Sequence, residues 1–262
     1  MTDMRITKKK KTPKAARAVK LAERYAHRGF HSKPEVPENS MAAFRRAADR
    51  GFASEFDVHL LADGNLAVFH DEELERETGV KGRIENYDLS NLRKLRLEGT
   101  DEPIPALDEV LDLYEDTGIP LLIELKTAGG NYRELTERVC RRLDRYGGEF
   151  VIESFDPRVL MELRKIRPHI IRGQLVQDFI KRREGLPLYQ AMLLSDLALL
   201  PFTKPDFIAF RFDDTKRRSW VSAMESGGML KAAWTIRSRE DYTAAVKEGC
   251  IPIFEQFDPD QK

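Results

Sequence analysis

Strand and helix patterns alternate along most of this chain, and this alternation limits its fold more than any other feature. Short apolar runs typical of strands are followed by segments with helical spacing. The strands begin near residues 24, 53, 120, 150, 170, 206, 230 and 251. Strands separated by helices pair in parallel through right-handed crossovers. Eight such units predict an α/β fold, a closed (β/α)8 barrel of the TIM type, and 262 residues is an ordinary length for it.

The strand patterns all lie within residues 24–262, which we interpret as a single barrel domain. Residues 72–105 are charged and irregular, so they predict a small insertion in that domain. Residues 1–23 form a basic tail that passes into a short helix pattern. The first 20 residues hold eight Lys and Arg against one acid, Asp3. A solvated terminus and a weak contact with anionic membrane lipids both remain open for this tail.

Charge and composition exclude several classes of protein. Lys plus Arg and Asp plus Glu both number 44, so no overall charge favours nucleic acid as a partner. Two cysteines do not make a disulfide framework, which favours a reducing compartment. The longest apolar run, residues 191–202, is too short to span a bilayer and contains Asp196. A cytoplasmic location is therefore predicted.

The second predicted strand carries acidic residues on one face. Residues two apart on a strand point the same way, so Glu55, Asp57 and His59 share a face, with Phe56 and Val58 on the other. The apolar face packs on helices, which turns the acidic face inward. Two carboxylates inside a barrel repel each other unless a cation or a proton lies between them. The alternative is a polar face on a solvated edge strand.

A third carboxylate lies on the next parallel strand. Glu124 and Lys126 share a face at the carboxyl end of an apolar strand, where barrel active sites are found. A buried Glu–Lys pair is the structural alternative. Three carboxylates from two strands suit a hard divalent cation, Mg²⁺ or Ca²⁺. The chain lacks the Cys/His spacing of a zinc site.

Two histidines close strands near these carboxylates. His27 ends the first strand and is followed by Arg28. Asp63-Gly64 predicts a two-residue hairpin turn, in which paired residue numbers sum to 127 and His70 lies opposite Asp57. Two imidazoles, a cation and the positive charges of Arg28 and Lys126 indicate phosphoryl chemistry. One histidine would deprotonate the attacking oxygen and the other would protonate the leaving alkoxide.

Several short motifs are shared with one known family. They are Ala26-His27-Arg28-Gly29, Pro37-Glu38-Asn39-Ser40, Glu55-Phe56-Asp57-Val58, Asp63-Gly64, His70-Asp71, Arg76-Glu77-Thr78-Gly79, Ile123-Glu124-Leu125-Lys126 and Trp234-Thr235. Together they resemble the glycerophosphodiester phosphodiesterase family over about residues 24–257, most densely before residue 127.

The resemblance implies a TIM-type barrel with an insertion after the second catalytic histidine. It implies hydrolysis of a glycerophosphodiester to sn-glycerol 3-phosphate and an alcohol. Carried over by position, the family's roles make His27 and His70 the acid–base pair. By the same resemblance, the ligands of Mg²⁺ or Ca²⁺ are Glu55, Asp57 and Glu124. It also implies that Arg28 and Lys126 contact the phosphate and that Trp234 lines the substrate pocket.

The chain departs from the family pattern in two places. Leu61-Ala62 stands where Thr-Lys usually precedes the Asp-Gly turn, and Glu255-Gln256 stands in a final strand that usually ends Thr-Asp-x-Pro. Residues 176–204 align with nothing in the family. Two alternatives stay open beside the hydrolase. The basic residues 8–11 and the apolar residues 191–202 favour a lysophospholipase D that acts at membranes, and the altered final strand favours a barrel that binds a phosphodiester without cleaving it.

Overall fold

Nine strands form one sheet in the computed structural model, which describes residues 21–182, 187–195, 197–214 and 228–261. They are β1 Tyr25–His27, β2 Ala53–Leu60, β3 Leu66–Val68, β4 Leu121–Leu125, β5 Phe150–Ser154, β6 Arg172–Val176, β7 Phe207–Arg211, β8 Leu230–Ile236 and β9 Cys250–Phe254. Eight of them pair in parallel, whereas β3 runs antiparallel to β2. The first strand closes the ring, because Tyr25 pairs with both Ala53 and Ile253. The predicted (β/α)8 barrel is confirmed.

Helices follow most of the parallel strands. They are α1 Met41–Asp49, α2 Glu75–Thr78, α3 Leu89–Leu92, α4 Leu107–Tyr114, α5 Tyr132–Leu143, α6 Pro157–Ile166, α7 Leu188–Ser195, α8 Leu200–Thr203 and α9 Arg239–Lys247. Side-chain oxygens of Ser40, Asp156 and Ser238 cap the amino ends of α1, α6 and α9. No helix among the described residues is long and apolar enough to cross a membrane. The sequence also predicts a helix at about 215–226. That segment and residues 1–20 of the basic tail lie outside the described residues.

The interior of the barrel has two layers because strand side chains alternate between faces. Outward residues such as Phe56, Val58 and Ile123 pack under the surrounding helices. An apolar inner layer includes Tyr25, Leu122, Val151, Leu175, Phe207 and Ile253. Toward the carboxyl ends of the strands, the next inward side chains are His27, Glu124, Glu153, Trp234 and Glu255. The lower interior is thus an apolar plug, and the polar groups are collected at one mouth.

The stretch between residues 72 and 105 has a small apolar cluster of its own. Helices α2 and α3 and a 3₁₀ turn at Ile84–Asn86 surround it. Its buried members are Phe69, Leu74, Ile84, Leu92, Leu97 and Ile104. The His59 ring anchors this stretch to β2, because its Nδ1 lies 2.9 Å from Glu85 Oε1. The insertion therefore packs over the end of β2, beside the mouth of the barrel.

The predicted register of the β2–β3 hairpin is wrong by one residue. Val58 pairs with Val68, so paired numbers sum to 126, and the Phe69 N–H donates to Asp57 O. The turn has three residues rather than two, with Gly64 in the left-handed region at φ 81°. The Asp63 carboxylate stabilises it by accepting hydrogen bonds from Asn65 N and from Leu89 N of the insertion. The second of these is a tertiary contact that local turn rules do not include.

Candidate active site

The inward polar layer borders a cavity of about 790 Å³ at the carboxyl ends of the strands. His27, His70, Glu55 and Glu124 all face it, together with Arg28, Lys126 and Trp234. Asp57 lies just beneath and is almost fully buried. The structure thus brings together all eight residues that the sequence singled out. His70 reaches the site although it does not pair with Asp57, because the chain leaves β3 after Val68 and strand alternation no longer sets its direction.

Three carboxylates crowd together in this layer. One oxygen each of Glu55, Asp57 and Glu124 lies within 4.8 Å of the others, and Asp57 and Glu124 are register partners on β2 and β4. Burial and the charge of Asp57 raise the pKa of Glu55 well above its usual range. Burial raises the pKa of Glu124 to about 7, with Asp57 adding to the effect. Buried oxygens held this close are the donor set that a hard divalent cation prefers.

Of these three carboxylates, Asp57 has the most hydrogen-bond donors around it among the described residues. Lys126 Nζ lies 3.2 Å from Asp57 Oδ1, and Asn39 Nδ2 donates to Oδ2 at 2.9 Å. Burial opposes ionisation, but the charges of Lys126 and Arg28 and the hydrogen bond from Asn39 outweigh it and keep the pKa of Asp57 well below its usual value. Lys126 also donates to Glu124 at 3.0 Å. Asp57 is therefore ionised, whereas its two neighbours resist a further negative charge.

The two histidines enter the site from different elements. His27 ends β1, and its Nε2 lies 3.9 Å from Glu55 Oε2. Burial and Arg28 lower the pKa of His27. His70 lies just beyond β3, and its Nδ1 is 2.5 Å from Asp71 Oδ1. Burial and the charge of Lys126 lower the pKa of His70 to about 4. Both rings are therefore neutral near pH 7, and each has one nitrogen beside a carboxylate.

The turn after His27 is shaped by α1. Arg28 and Gly29 have φ of 55° and 78°, and the Phe30 N–H donates to Ala43 O at 3.0 Å. The Arg28 N–H donates to Glu55 Oε2 at 3.0 Å, while its guanidinium donates to Glu38 at 2.6 Å. Arg28 therefore reaches the carboxylate cluster with its backbone and a second acid with its side chain.

Sequence analysis did not identify two buried acids of the site. Glu153 is 1% exposed, and its Oε2 has no hydrogen-bond partner among the described residues. Burial and the charges of Glu124 and Asp57 raise its pKa far above normal. Glu255 lies 2.5 Å from His27 Nδ1. Strand alternation contained the signal for both, because Glu153 and Glu255 stand two residues after the inward Val151 and Ile253.

An aromatic wall borders the side of the cavity away from Arg28. The Phe155 ring makes edge contacts with Trp234 at 5.6 Å and with Phe179 at 5.9 Å between centroids. The Arg211 guanidinium carbon is 5.7 Å from the Trp234 ring centroid. Trp234 thus lies at an aromatic wall beside the charged layer.

Comparisons with known proteins agree with this geometry. The profile of the Glycerophosphoryl diester phosphodiesterase family matches residues 27–257. A glycerophosphodiester phosphodiesterase of Caldanaerobacter subterraneus subsp. tengcongensis is 30% identical over 236 residues, covering 86% of this chain and 89% of that protein. A human lysophospholipase D is 34% identical over 142 residues, covering 49% of this chain and 43% of that protein.

Solved structures show the same fold. A phosphodiesterase of Oleispira antarctica, in complex with the product sn-glycerol-3-phosphate, superposes with a TM-score of 0.75. The match covers 90% of this chain and 93% of that one at 24% identity. At this identity the likeness concerns the barrel rather than the individual roles of side chains.

Proposed function

The chain belongs to the glycerophosphoryl diester phosphodiesterase family, and on that basis we propose that it hydrolyses glycerophosphodiesters to sn-glycerol 3-phosphate and an alcohol. One observation carries the proposal within the structure. His27 and His70 face a single cavity together with Glu55 and Glu124, and Asp57 lies directly beneath. Two imidazoles supply a base and an acid, and the buried carboxylates can hold a cation, which are the groups that phosphodiester hydrolysis needs.

We assign acid–base catalysis to the histidine pair. One neutral imidazole would take the proton from the attacking water as its oxygen bonds to phosphorus. The other, after it has taken a proton from solvent, would give that proton to the alcohol oxygen as its bond to phosphorus breaks. Arg28 and Lys126 supply positive charge beside the phosphoryl oxygens. Trp234 borders the part of the cavity that would hold the organic part of the substrate.

The acidic trio fits a divalent cation. Glu55, Asp57 and Glu124 would hold it, because their buried oxygens lie close together and like charge disfavours their joint ionisation. Mg²⁺ and Ca²⁺ are the candidates, since every donor is a carboxylate oxygen. Such an ion would neutralise phosphoryl charge and lower the pKa of a bound water.

Release of sn-glycerol 3-phosphate from glycerophosphocholine and glycerophosphoethanolamine tests the proposal. Activity should disappear with EDTA and return with Mg²⁺ or with Ca²⁺, and the cation that restores it identifies the metal. Activity that is unchanged by EDTA would contradict the assignment of the acidic trio. If neither substrate is cleaved, yet glycerophosphocholine binds, the chain is a binding barrel rather than an enzyme.

A second candidate function is cleavage of lysophospholipids at a lipid surface. Six of the nine large apolar side chains that are exposed in the described part of the chain lie between β6 and β7. They are Ile180, Leu188, Tyr189, Met192, Leu193 and Phe202. Leu193 and Phe179 border the same apolar recess, and Phe179 also forms part of the aromatic wall. The apolar surface therefore begins at the mouth of the cavity, where the acyl chain of a lysophospholipid would leave it.

Liposome sedimentation distinguishes the two candidates. The experiment compares three proteins: the full chain, a chain lacking residues 1–20, and a Leu188→Ser/Met192→Ser variant. If the chain acts at a lipid surface, vesicles with anionic lipid should bind these three proteins to different extents. Equal, negligible binding by all three would exclude this candidate and the proposed contact of the basic tail. The cytoplasmic location, and the division into residues 1–23 and a single domain at 24–262, remain our proposals.

A further inference from the structure

The side chain of Glu255 contacts one of the two histidines of the proposed acid–base pair. Glu255 directly follows β9, the strand beside β1 that closes the barrel, and is 6% exposed. Its Oε2 lies 2.5 Å from His27 Nδ1. The contact joins two neighbouring strands of the ring through residues that lie 228 positions apart in sequence.

Three other groups hold this carboxylate in place. Arg237 Nε donates to Oε1 at 2.7 Å, and the Glu255 N–H donates to Ile236 O at 3.0 Å. His31 Nε2 lies 3.5 Å from Oε2 on the other side. Burial opposes ionisation, but the hydrogen bond from His27, the nearby His31 ring and the charge of Arg237 keep the pKa of Glu255 far below its usual value. The side chain is therefore an ionised carboxylate with a fixed direction.

An ionised carboxylate can only accept hydrogen bonds. The short contact therefore requires the proton of neutral His27 to reside on Nδ1, which leaves the lone pair on Nε2. Nε2 is the ring nitrogen that points toward the acidic trio, 3.9 Å from Glu55 Oε2. The same carboxylate would stabilise the ring once it has taken a proton, and it would keep the ring from rotating.

We infer that Glu255 is a positioning residue for His27, which fixes the Nδ1–H tautomer and directs Nε2 into the cavity. This inference rests on the proposed phosphodiesterase activity, in which His27 exchanges a proton through Nε2. Threonine has a shorter and neutral side chain, so at this position it would offer neither the charge nor the same reach. The contact thus bears on proton transfer rather than on the organic part of the substrate.

Two variants of the full chain test the role, Glu255→Gln and Glu255→Thr, with the cation present and glycerophosphocholine as substrate. Both should lower kcat by at least about tenfold, as for other carboxylates that orient a functional histidine. KM should stay within about twofold, because Glu255 acts through His27 and not on the substrate. The matched control is Glu162→Gln, which removes an equally buried carboxylate on α6 that pairs with Lys165 outside the cavity.

A spectroscopic measurement tests the same role without turnover. The chain is labelled with ¹⁵N-histidine, and the ring nitrogen chemical shifts of His27 are assigned by comparison with a His27→Gln variant. These shifts should show the Nδ1–H tautomer in the wild type and a mixture of tautomers in Glu255→Gln. An Nε2–H tautomer in the wild type, or kcat within about twofold of wild type in both variants, would overturn the inference. If the wild type cleaves no phosphodiester, the proposed function fails, and the tautomer alone decides whether Glu255 orients His27.

Discussion

Single side chains at the mouth of the barrel differ in how their charge is compensated. Asp57 has Lys126, Arg28 and Asn39 within contact distance, whereas Glu153 has no hydrogen-bond partner for Oε2 in the described part of the chain. Buried charges are stable only when they are paired, so the uncompensated carboxyls retain protons or recruit a cation. Function at this scale depends on where these few charges are placed.

His27→Ala and His70→Ala should each lower turnover of glycerophosphocholine by about 10²- to 10⁴-fold, the usual contribution of a positioned acid or base. Each removes one proton-transfer group and leaves the carboxylates in place. The control is His169→Ala, because His169 is exposed in the turn between α6 and β6. Steady-state kinetics and circular dichroism measure the effect and the fold. Near-normal turnover in both site variants would contradict their assigned roles.

Glu38→Gln should destabilise the protein by about 3 kcal/mol near pH 7, because it breaks a buried charge cluster. Glu38 accepts from Arg28 and Arg76 and pairs with Lys33. Burial opposes ionisation, but the charge of Arg28 and the hydrogen bonds from Arg76 and Lys33 hold the pKa of Glu38 well below 4.5. The folded pKa is therefore lower than the unfolded one, and the stabilisation is complete above about pH 4.5 and decreases as the pH falls below it.

Urea unfolding at pH 7 and at pH 3.5 measures this dependence. The difference in unfolding free energy between wild type and Glu38→Gln should shrink at the lower pH. A difference that stays constant would mean that the variant acts through packing rather than through the charge of Glu38.

At the scale of elements, strand alternation predicted more than turn chemistry did. The inward faces of β2 and β4 followed from their sequences, and so did the meeting of Glu55, Asp57 and Glu124. The hairpin register did not, because Asp63 is held by Leu89 of the insertion. The contact between Glu255 and His27 could not be predicted from the sequence, where Glu255 was noted only as a departure from a family pattern. The two residues lie 228 positions apart, and β1 and β9 meet only when the barrel closes.

A methyl group added at Gly29, between β1 and α1, should destabilise the protein more than one added at Gly51, between α1 and β2. Both glycines have positive φ, 78° and 67°. A Cβ at Gly29 would lie 2.9 Å from Ala43 Cβ, whereas at Gly51 nothing lies within 4 Å. Gly51→Ala should cost about 1 kcal/mol for its backbone conformation, and Gly29→Ala about 1–3 kcal/mol more for overpacking.

Gly29→Ala should also lower kcat, because relief of the clash would displace His27 and Arg28, which precede it. Urea unfolding and steady-state kinetics of both variants check this prediction. Equal losses of stability in the two variants would show that α1 moves aside at no cost and that the turn is not held by the helix.

At the scale of the whole molecule, the barrel separates stability from function. The apolar lower layer and the outer helical layer bury most of the core, while the polar upper layer carries the site. Length, strand count and spacing were enough to predict this architecture, because it depends on periodicity. Periodicity did not predict which apolar side chains after β6 are exposed, because residues 188–195 are apolar on several sides of the helix.

Cys140 and Cys250 report on whether this closed sheet opens as one unit. Cys140 packs from α5 against the outer face of the barrel, and Cys250 begins β9 in a different core cluster. Burial raises the pKa of the Cys140 thiol to about 12 and raises that of Cys250 as well. Because a raised pKa lowers the thiolate fraction at pH 8, neither thiol should react with Ellman's reagent in the native protein.

Labelling at pH 8 across a urea series, with Cys140→Ser and Cys250→Ser to separate the two thiols, measures the opening free energy at each site. Both opening free energies should equal the global unfolding free energy. The three-residue strand β1 pairs with β9 on one side and with β2 on the other, so neither β9 nor β2 can separate without breaking the ring. Added Mg²⁺ or Ca²⁺ should slow both reactions equally if the acidic trio binds it only in the folded state. Fast, urea-independent reaction of Cys250 alone would show instead that β9 detaches locally, and that the contact between Glu255 and His27 is made and broken in the native protein.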